Sequence, residues 1–218
     1  CKGEERMKLR REDLLLYAVT DRSWLKEGET LYDQVEQALK GGVTMVQLRE
    51  KKLDREAFLK EAEEIQKLCL AYHVPFLIND AVDIALEIGA DGVHVGQSDM
   101  EAKKVRKLLG DDRIIGVTAA APALAKLAEQ NGADYLGSGA VFGTSTKTDA
   151  KPLEHDVLKE ICRSVTIPVA AIGGITKENV LKLKGTGISG IAVVSAVFAE
   201  PDIEEATRRL KLLAGQVV

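Results

Sequence analysis

Short apolar runs that alternate with helix-like stretches constrain the fold of this chain most strongly. Eight runs are almost continuously apolar, as expected of strands that are covered on both faces in a parallel sheet. They occupy residues 14–20, 44–49, 75–79, 92–95, 114–118, 135–138, 169–172 and 190–194. Most are followed by apolar residues at helical spacing, such as Leu31, Val35, Ala38 and Leu39. The sequence therefore predicts a series of strand–helix units.

The number of units distinguishes between two α/β architectures. About eight units favour a closed (β/α)8 barrel, the TIM barrel, whereas an open doubly wound sheet normally carries GxGxxG after its first strand. No such segment follows residue 20. We therefore expect one TIM-barrel domain over residues 13–218. Residues 1–12 would be an N-terminal extension, frayed or foreign to the natural chain.

Charge and composition exclude several classes of partner. The net charge is −4 and the sequence pI is near 5.6, so no overall basic field would draw the protein to nucleic acid or a membrane surface. No apolar stretch approaches the roughly 20 residues of a membrane span. The three cysteines lack CxxC spacing, which fits a reducing compartment. We expect a cytoplasmic protein that binds small molecules, and self-association into a homo-oligomer stays open.

Two cations lie at the tip of the second run. Gln47, Arg49 and Lys51 alternate along the chain, so they should project together toward the carboxyl mouth of a barrel. Arginine offers a planar fork to phosphate oxygens and lysine a compact charge. Lys147 is a candidate third cation. The pattern indicates a polyanionic ligand, and the alternative is a solvated cluster with Glu50 as partner.

Two carboxylates follow the third and fourth runs. Asp80 comes directly after residue 79, and Asp99 lies four residues beyond residue 95. Beside cations suited to phosphate they fit Mg²⁺, which typically takes one or two carboxylates and completes its octahedron with water and phosphate oxygens. Both are candidate magnesium ligands. Taken singly, each can instead cap the helix that follows it.

Small residues follow the seventh and eighth runs, where barrels often bind a phosphate monoester. Gly173-Gly174 would let backbone N–H groups approach the oxygens closely, as would Val194-Ser195, and a following helix start would add a favourable dipole. The alternative is a pair of plain turns that need positive φ. With the cations, these tips predict a mouth for a diphosphate and a monophosphate, suited to substitution at carbon with loss of pyrophosphate.

His94 lies between apolar neighbours in the fourth run, and no second histidine stands at metal-ligand spacing. A hydrogen-bonded histidine inside the barrel is therefore the favoured interpretation, with a ligand or catalyst as the alternative. GxSxG, HExxH and P-loop strings are absent, so serine hydrolysis, zinc proteolysis and Walker-type NTP hydrolysis have no support.

The ordered set of segments resembles the thiamine phosphate synthase family over about residues 14–213. The segments are residues 16–21 (LYAVTD), 47–51 (QLREK), 79–80 (ND), 94–99 (HVGQSD), 144–147 (TSTK), 149–152 (DAKP), 173–174 (GG) and 194–195 (VS). The resemblance implies a TIM-barrel transferase that joins 4-amino-2-methyl-5-hydroxymethylpyrimidine diphosphate to a thiazole phosphate and yields thiamine monophosphate and pyrophosphate. It also implies Mg²⁺ and departure of the diphosphate before the thiazole nitrogen attacks, without a protein nucleophile.

The resemblance further implies roles for single residues. Binding of the pyrimidine diphosphate is implied for Gln47, Leu48, Arg49, Glu50, Lys51, Asn79, Thr118 and Lys147. Binding of the thiazole phosphate is implied for Thr144, Ser145, Thr146, Gly174, Val194 and Ser195. The magnesium ligands would be Asp80 and Asp99. The catalytic residues would be Arg49, Lys51, Lys147 and Thr118.

One segment departs from the family pattern. Thr118 stands where the family usually has serine, and alanines at 119–121 replace a more polar stretch, which would remove polar side chains from the mouth. Gly139-Ala140 also replaces a common Gly-Pro. Threonine keeps the hydroxyl group, so we expect activity to be retained with altered affinity, loop order or turnover.

Three other functions compete with this interpretation. A thiazole tautomerase resembling this family would bind the thiazole phosphate without needing the cations and carboxylates of strands two to four. A sugar-phosphate isomerase or aldolase would need a base or a Schiff-base lysine at a strand tip, a role open to Lys51. A non-catalytic sensor would bind both ligands without turnover.

Overall fold

The computed structural model describes residues 9–96, 102–143 and 152–218. Within these ranges, eight parallel strands form a closed barrel in chain order, with the first strand hydrogen-bonded to the last. The strands are β1 Leu16–Val19, β2 Met45–Leu48, β3 Phe76–Asn79, β4 Gly92–Val95, β5 Ile114–Thr118, β6 Tyr135–Gly139, β7 Val169–Ile172 and β8 Gly190–Val193. The predicted TIM barrel is confirmed.

Helices connect the strands on the outside of the barrel. Those of the described ranges are α1 Leu31–Gly41, α2 Arg55–Ala71, α3 Val82–Ile88, α4 Ala102–Leu109, α5 Pro122–Gln130, α6 His155–Ser164, α7 Ser195–Phe198 and α8 Ile203–Ala214. Short 3-10 helices occur at Arg11–Leu14, Arg22–Trp24 and Val180–Leu183. In the parts of the chain that are described, no helix combines the length and apolarity needed to cross a bilayer.

The connection after β7 differs from the predicted helix. Leu181 and Leu183 belong to the 3-10 turn Val180–Leu183 and not to a regular α-helix. Gly185 and Gly187 follow closely with φ of 81° and 90°, a left-handed conformation that ends helical structure. The same property turns helices into strands elsewhere, since Gly42 and Gly89 cap α1 and α3 with φ of 97° and 68°.

Strand side chains alternate between two apolar layers. In β1, Leu16 and Ala18 pack toward the surrounding helices, whereas Tyr17 and Val19 belong to a second cluster with residues of the other strands. This second cluster, the inner cluster, comprises Leu14, Tyr17, Val19, Met45, Leu77, Ile114, Tyr135, Ala170 and Ala192. A strand residue's position in this alternation therefore decides whether it can reach the interior of the barrel.

Glycines make room for two polar rings inside the barrel. A Cβ atom on Gly116 would lie 2.1 Å from Cζ of Tyr135, and one on Gly137 would lie 3.0 Å from Cε1 of His94. Side chains at these two positions would overlap the rings or crowd them. The strand sequence thereby reserves interior space for Tyr135 and His94.

Part of the predicted N-terminal extension is described. Residues 1–8 lie outside the described ranges, while Leu9 packs against the inner cluster. Arg10 donates from Nη2 to Oδ1 of the buried Asp13 at 2.7 Å. This pair fixes the start of the 3-10 helix that leads into β1.

Candidate active site

All strand tips open at one end of the molecule, because the strands are parallel and the barrel is closed. Arg49, Asp80 and Thr118 therefore share this end, the carboxyl mouth, with Gly174 and Ser195. Residues far apart in the sequence converge there as predicted. Five predicted site residues lie outside the described ranges, namely Asp99, Thr144, Ser145, Thr146 and Lys147.

Arg49 is a half-buried cation directly after β2. Its backbone N–H donates to Oγ1 of the fully buried Thr20 at 3.0 Å, which fixes the chain at the strand tip. Its guanidinium makes no hydrogen bond or ion pair with any residue in 9–96, 102–143 or 152–218. A strand-tip guanidinium without an acidic partner among the described residues favours binding of an anionic ligand and argues against a cluster paired with Glu50.

The side chains of Leu48 and Glu50, for which the resemblance implies ligand contacts, make structural contacts within the protein. The side chain of Leu48 is fully buried in the layer between barrel and helices, so only its backbone is available to a ligand. The Glu50 carboxylate is 3% exposed and accepts from Nε of Arg22 at 2.9 Å and from the backbone N–H of Lys51 at 3.0 Å. Glu50 thus holds the loop that carries the cations.

Lys51 and Asp80 form an ion pair across the tips of β2 and β3. Nζ of Lys51 lies 2.6 Å from Oδ2 of Asp80, which has a φ of 60°, unusual for a residue other than glycine. The backbone N–H of Asp80 donates to the carbonyl of His94 at 2.9 Å. The N-cap position of α3 is Ala81, without a side-chain cap, so the capping alternative for Asp80 is excluded.

The Asp80 carboxylate fits a magnesium ligand in chemical type, because Mg²⁺ prefers hard oxygen donors. Its side chain is 29% exposed, which leaves it accessible from the mouth. The described residues contain no group of three or more His, Cys, Asp or Glu side chains able to hold a metal ion. A magnesium ion bound at Asp80 would therefore need oxygens from Asp99, water or a ligand.

A chain of hydrogen bonds crosses the barrel interior. Nε2 of Gln47 donates to the hydroxyl of Tyr17, which lies 2.7 Å from the hydroxyl of Tyr135. The Tyr135 hydroxyl lies 2.9 Å from Nδ1 of His94, and Nε2 of His94 lies 3.0 Å from Oγ1 of Thr118. The prediction of a hydrogen-bonded interior histidine is confirmed.

Gln47 and Thr118 both belong to this hydrogen-bond network inside the barrel. The expectation that Gln47 and Lys51 project together along one strand is therefore not met. Gln47 is buried beside Tyr17, whereas Lys51 lies in an exposed bend beyond the end of β2. The strand ends at Leu48, so strict alternation no longer governs the positions beyond it.

Burial raises the pKa of both Tyr17 and Tyr135, which keeps the two phenols neutral.

The segment after β5 corrects one expectation. Thr118 is half-buried at the strand tip, but the side chain of Ala119 is fully buried in the outer layer and does not face the mouth. The backbone N–H of Ala119 donates to the carbonyl of Gly137 at 3.0 Å. The loss of polarity at the mouth is therefore confined to Ala120 and Ala121.

The tips of β7 and β8 differ in what they can offer a phosphate. Gly173 and Gly174 have φ of 100° and 65°, and a Cβ atom on Gly174 would lie 2.3 Å from the carbonyl oxygen of Gly143. No regular helix follows them, so the predicted helix dipole after β7 is wrong. After β8, the four-residue helix α7 begins at Ser195, and its first backbone bonds run from the N–H groups of Val197 and Phe198 to the Val194 carbonyl, so the N–H groups of Ser195 and Ala196 precede them.

Two charged residues behind the mouth were not predicted. Nη2 of Arg22 lies 2.5 Å from Oε1 of Glu61 on α2, while its Nε pairs with Glu50. Burial raises the pKa of Glu61, although the neighbouring Arg22 acts in the opposite direction. No spacing in the sequence relates Arg22 to Glu61. The hydrogen bond between Arg49 and Thr20 could not be predicted from sequence spacing either, although Thr20 belongs to one of the segments that carry the resemblance.

Comparisons with known proteins agree with this geometry. A family model described as thiamine monophosphate synthase matches residues 16–197. The chain is 51% identical over 198 residues to a thiamine-phosphate synthase of Ruminiclostridium cellulolyticum, with 91% of this chain and 94% of that protein covered. It is 50% identical over 196 residues to a thiamine-phosphate synthase of Clostridium acetobutylicum, covering 90% and 92%.

A solved structure supports the same conclusion. The thiamine phosphate pyrophosphorylase of Pyrococcus furiosus superposes with a TM-score of 0.87 at 38% identity, covering 95% of this chain and 98% of that chain. Fold, sequence and family model thus agree over nearly the whole length. The chain therefore belongs to the thiamine monophosphate synthase family.

Proposed function

We propose that this transferase of thiamine biosynthesis couples 4-amino-2-methyl-5-hydroxymethylpyrimidine diphosphate to a thiazole phosphate and releases pyrophosphate. The single observation that carries the proposal is the half-buried residue Arg49 at the tip of β2, whose guanidinium lacks an acidic partner in the described ranges. It lies beside the Lys51–Asp80 pair, at the same end of the barrel as Gly174 and Ser195. One mouth thereby offers separate places for two phosphorylated substrates.

The tips of β2, β3 and β5 would bind the diphosphate. Arg49, which has no acidic partner in the part of the chain that the structure describes, would bind its oxygens directly, whereas Lys51 would exchange Asp80 for a phosphate oxygen. Asn79 and Thr118 would add neutral hydrogen bonds from neighbouring tips, and Lys147 would supply a further charge. These three cations would offset the negative charge of the diphosphate.

Asp80 and Asp99 would hold a magnesium ion against the diphosphate. Bound there, the ion would neutralise charge that grows on the leaving group. The proposal is consistent with the donor chemistry of Asp80 and with its accessible carboxylate. With a metal held at Asp80, the ammonium group of Lys51 would be available to the same phosphate oxygens.

The tips of β7 and β8 would bind the thiazole phosphate. Backbone N–H groups at Gly174, Val194 and Ser195 suit a monophosphate, because glycine allows close approach and the start of α7 leaves donors free. Thr144, Ser145 and Thr146 would complete this subsite. The exposed Ser195 side chain lies at the same tip.

Bond breaking would precede bond making in the proposed reaction. The carbon–oxygen bond to the diphosphate breaks, its electron pair leaves with pyrophosphate, and the thiazole nitrogen then donates its lone pair to the pyrimidine methylene carbon. Such a path needs no protein nucleophile, so the protein acts by positioning both substrates and by stabilising the departing charge. Arg49 and Lys51 would contribute most of that stabilisation.

The Lys51–Asp80 pair argues against the aldolase and tautomerase alternatives. A Schiff-base lysine must present its amine to a substrate carbonyl, whereas Nζ of Lys51 is held 2.6 Å from Oδ2 of Asp80. A tautomerase would have no use for Arg49 or for the carboxylate–lysine pair at the tips of β2 and β3. A synthase uses all three residues.

The test is to mix both substrates with Mg²⁺ and to measure pyrophosphate and thiamine monophosphate together. We expect both products in equal amounts, and Arg49→Gln should slow their formation by roughly tenfold or more, the equivalent of one charge-assisted hydrogen bond. Arg208→Gln is the matched control, because Arg208 pairs only with surface carboxylates of α8 in the described structure. Binding of both ligands without pyrophosphate release would contradict the proposal and favour a sensor.

A further inference from the structure

Three residues in the barrel interior connect two residues of the proposed diphosphate site. The hydrogen-bonded chain that begins at Gln47 and ends at Thr118 passes through Tyr17, Tyr135 and His94. We propose that Tyr17, Tyr135 and His94 are positioning residues that force the Thr118 hydroxyl to donate its hydrogen into the mouth. The direction of the chain follows from geometry alone, whereas the ligand of Thr118 rests on the proposed function.

The direction is set at the Gln47 end. The Gln47 amide nitrogen can only donate, so the Tyr17 oxygen accepts, and the single Tyr17 hydrogen is directed to the Tyr135 oxygen. The Tyr135 hydrogen is then directed to Nδ1 of His94, which must be unprotonated to accept it. Each hydroxyl group carries one hydrogen, so fixing the first donor fixes the following ones.

The other end of the chain presents a donor to the mouth. A neutral imidazole with a bare Nδ1 carries its proton on Nε2, which donates to Oγ1 of Thr118 at 3.0 Å. The hydroxyl hydrogen of Thr118 is not used in this bond, and no residue in 9–96, 102–143 or 152–218 accepts it, so we expect it to serve a ligand. A hydroxyl group that donates its hydrogen to a phosphate oxygen attracts the anion. If the hydroxyl group donated to His94 instead, its lone pairs would face the anion and repel it.

Burial enforces this order of hydrogen bonds. Tyr17 and Tyr135 are 1% and 0% exposed, so water cannot replace a missing partner of either hydroxyl group. An unpaired buried hydroxyl is costly, and reversing one link would leave two donors or two acceptors facing each other. The hydrogen bonds from Gln47 to Thr118 are therefore expected to run in one donor-to-acceptor direction throughout.

The backbone is shaped around the central rings. The Tyr135 ring occupies the space that a Cβ atom on Gly116 would need, and the His94 ring lies against Gly137. The Tyr17 and Tyr135 rings meet edge to face, with centroids 5.8 Å apart. These contacts fix both tyrosines without help from their hydroxyl groups, so removing a hydroxyl should disturb the hydrogen-bond order more than the packing.

The first experiment reads the tautomer of His94 directly. In protein with ¹⁵N-labelled histidine, long-range ¹H–¹⁵N correlation spectra at neutral pH should show the Nε2–H tautomer for His94. Tyr135→Phe removes the donor to Nδ1 and should convert the signal to a mixture of tautomers. A wild-type signal of the Nδ1–H tautomer would overturn the proposed direction. If Tyr135→Phe does not fold, Tyr17→Phe cuts the chain one link earlier and replaces it.

The second experiment tests the consequence for the ligand. Calorimetry with magnesium pyrophosphate should show roughly tenfold weaker binding for Tyr135→Phe, because Thr118 then loses its fixed orientation. In a Thr118→Val background, the same Tyr135 change should cause no further loss. Tyr72→Phe at the protein surface is the matched control and should bind as the wild type does.

The outcomes separate this inference from the proposed function. Additive losses in the double variant would mean that Tyr135 acts through packing and would overturn the inference. An Nε2–H tautomer in wild-type protein that does not bind magnesium pyrophosphate would overturn the role of Thr118 toward the ligand. Failure of the two substrates to react, with coupled pyrophosphate binding intact, would reject the proposed function and support the positioning network.

Discussion

At the scale of single residues, the backbone of Asp80 departs from the usual conformational preference at the proposed metal site. A φ of 60° costs a residue other than glycine roughly 1 kcal/mol or more, and β-strand tips do not require it. The cost is offset by the hydrogen bond to the His94 carbonyl and by the ion pair with Lys51. The conformation brings the carboxylate to the mouth next to a cation, and this placement is what a metal site would use.

Asp80→Asn should separate activity from stability. Asparagine tolerates left-handed φ as well as aspartate does, and an exposed ion pair contributes less than about 1 kcal/mol, so the melting temperature should change little. Loss of the charge should reduce product formation at least roughly tenfold, because the proposed magnesium site would lose a ligand. Rates and melting temperatures are compared with Asp83→Asn, which removes a surface partner of Arg55. Parallel loss of activity and stability would show that Asp80 is structural.

At the scale of elements, the sequence predicted what depends on apolar periodicity. Each strand lies within or very near its apolar run, because a strand covered on both faces must be apolar throughout. The connection after β7 was predicted as a helix and is a 3-10 turn, since Leu181 and Leu183 alone do not distinguish the two periods. Cytoplasmic location and self-association stay predictions.

The interior chain shows the limit of such reasoning. Tyr17 and Tyr135 count as apolar residues in a periodicity argument, and their hydroxyl groups meet across 118 positions of sequence. Which inward side chains touch depends on barrel closure and register, which local spacing does not contain. The proposal of paired phosphate subsites could be made from the sequence because it depends only on residue types at strand tips, and parallel strands bring all tips together.

A carboxylate at the end of α5 holds the connection into β7 and should give stability a specific pH dependence. Oε1 of Glu129 accepts from Oγ1 of Thr166 at 2.6 Å and from the backbone N–H groups of Thr166 and Ile167 at 2.8 and 3.1 Å. The Thr166 hydroxyl is the largest cause of a lowered pKa at Glu129. The unfolded chain therefore binds this proton more readily, so the stabilisation is present above the ordinary pKa and disappears as the pH falls through the lowered one.

Glu129→Gln should remove that dependence. Urea unfolding between neutral pH and the acidic range below the ordinary glutamate pKa should show a smaller loss of stability in the variant than in the wild type. Glu63→Gln on the exposed face of α2 is the control. Curves for Glu129→Gln and wild type that fall in parallel would show that this contact adds nothing.

At the scale of the whole molecule, ligand binding should stabilise the barrel by joining tips that belong to different strands. A ligand at a hundredfold excess over its dissociation constant adds about 2.7 kcal/mol, which corresponds to a rise in melting temperature of roughly 5–10 °C for a chain of this size. We expect magnesium pyrophosphate to produce such a rise, and Arg49→Gln to remove most of it. Omitting Mg²⁺ by chelation is the control, and an equal rise without the metal would contradict magnesium binding at Asp80.

Closure of the sheet between β1 and β8 also affects how the protein folds during its synthesis. A nascent chain that has left the ribosome only as far as β4 already carries Arg49, Lys51 and Asp80. It has neither a closed barrel nor the glycines that follow β7. Its parallel strands remain open at both edges until the last one is made, and such edges invite aggregation. Chaperone protection during translation should therefore matter until residues near 193 emerge.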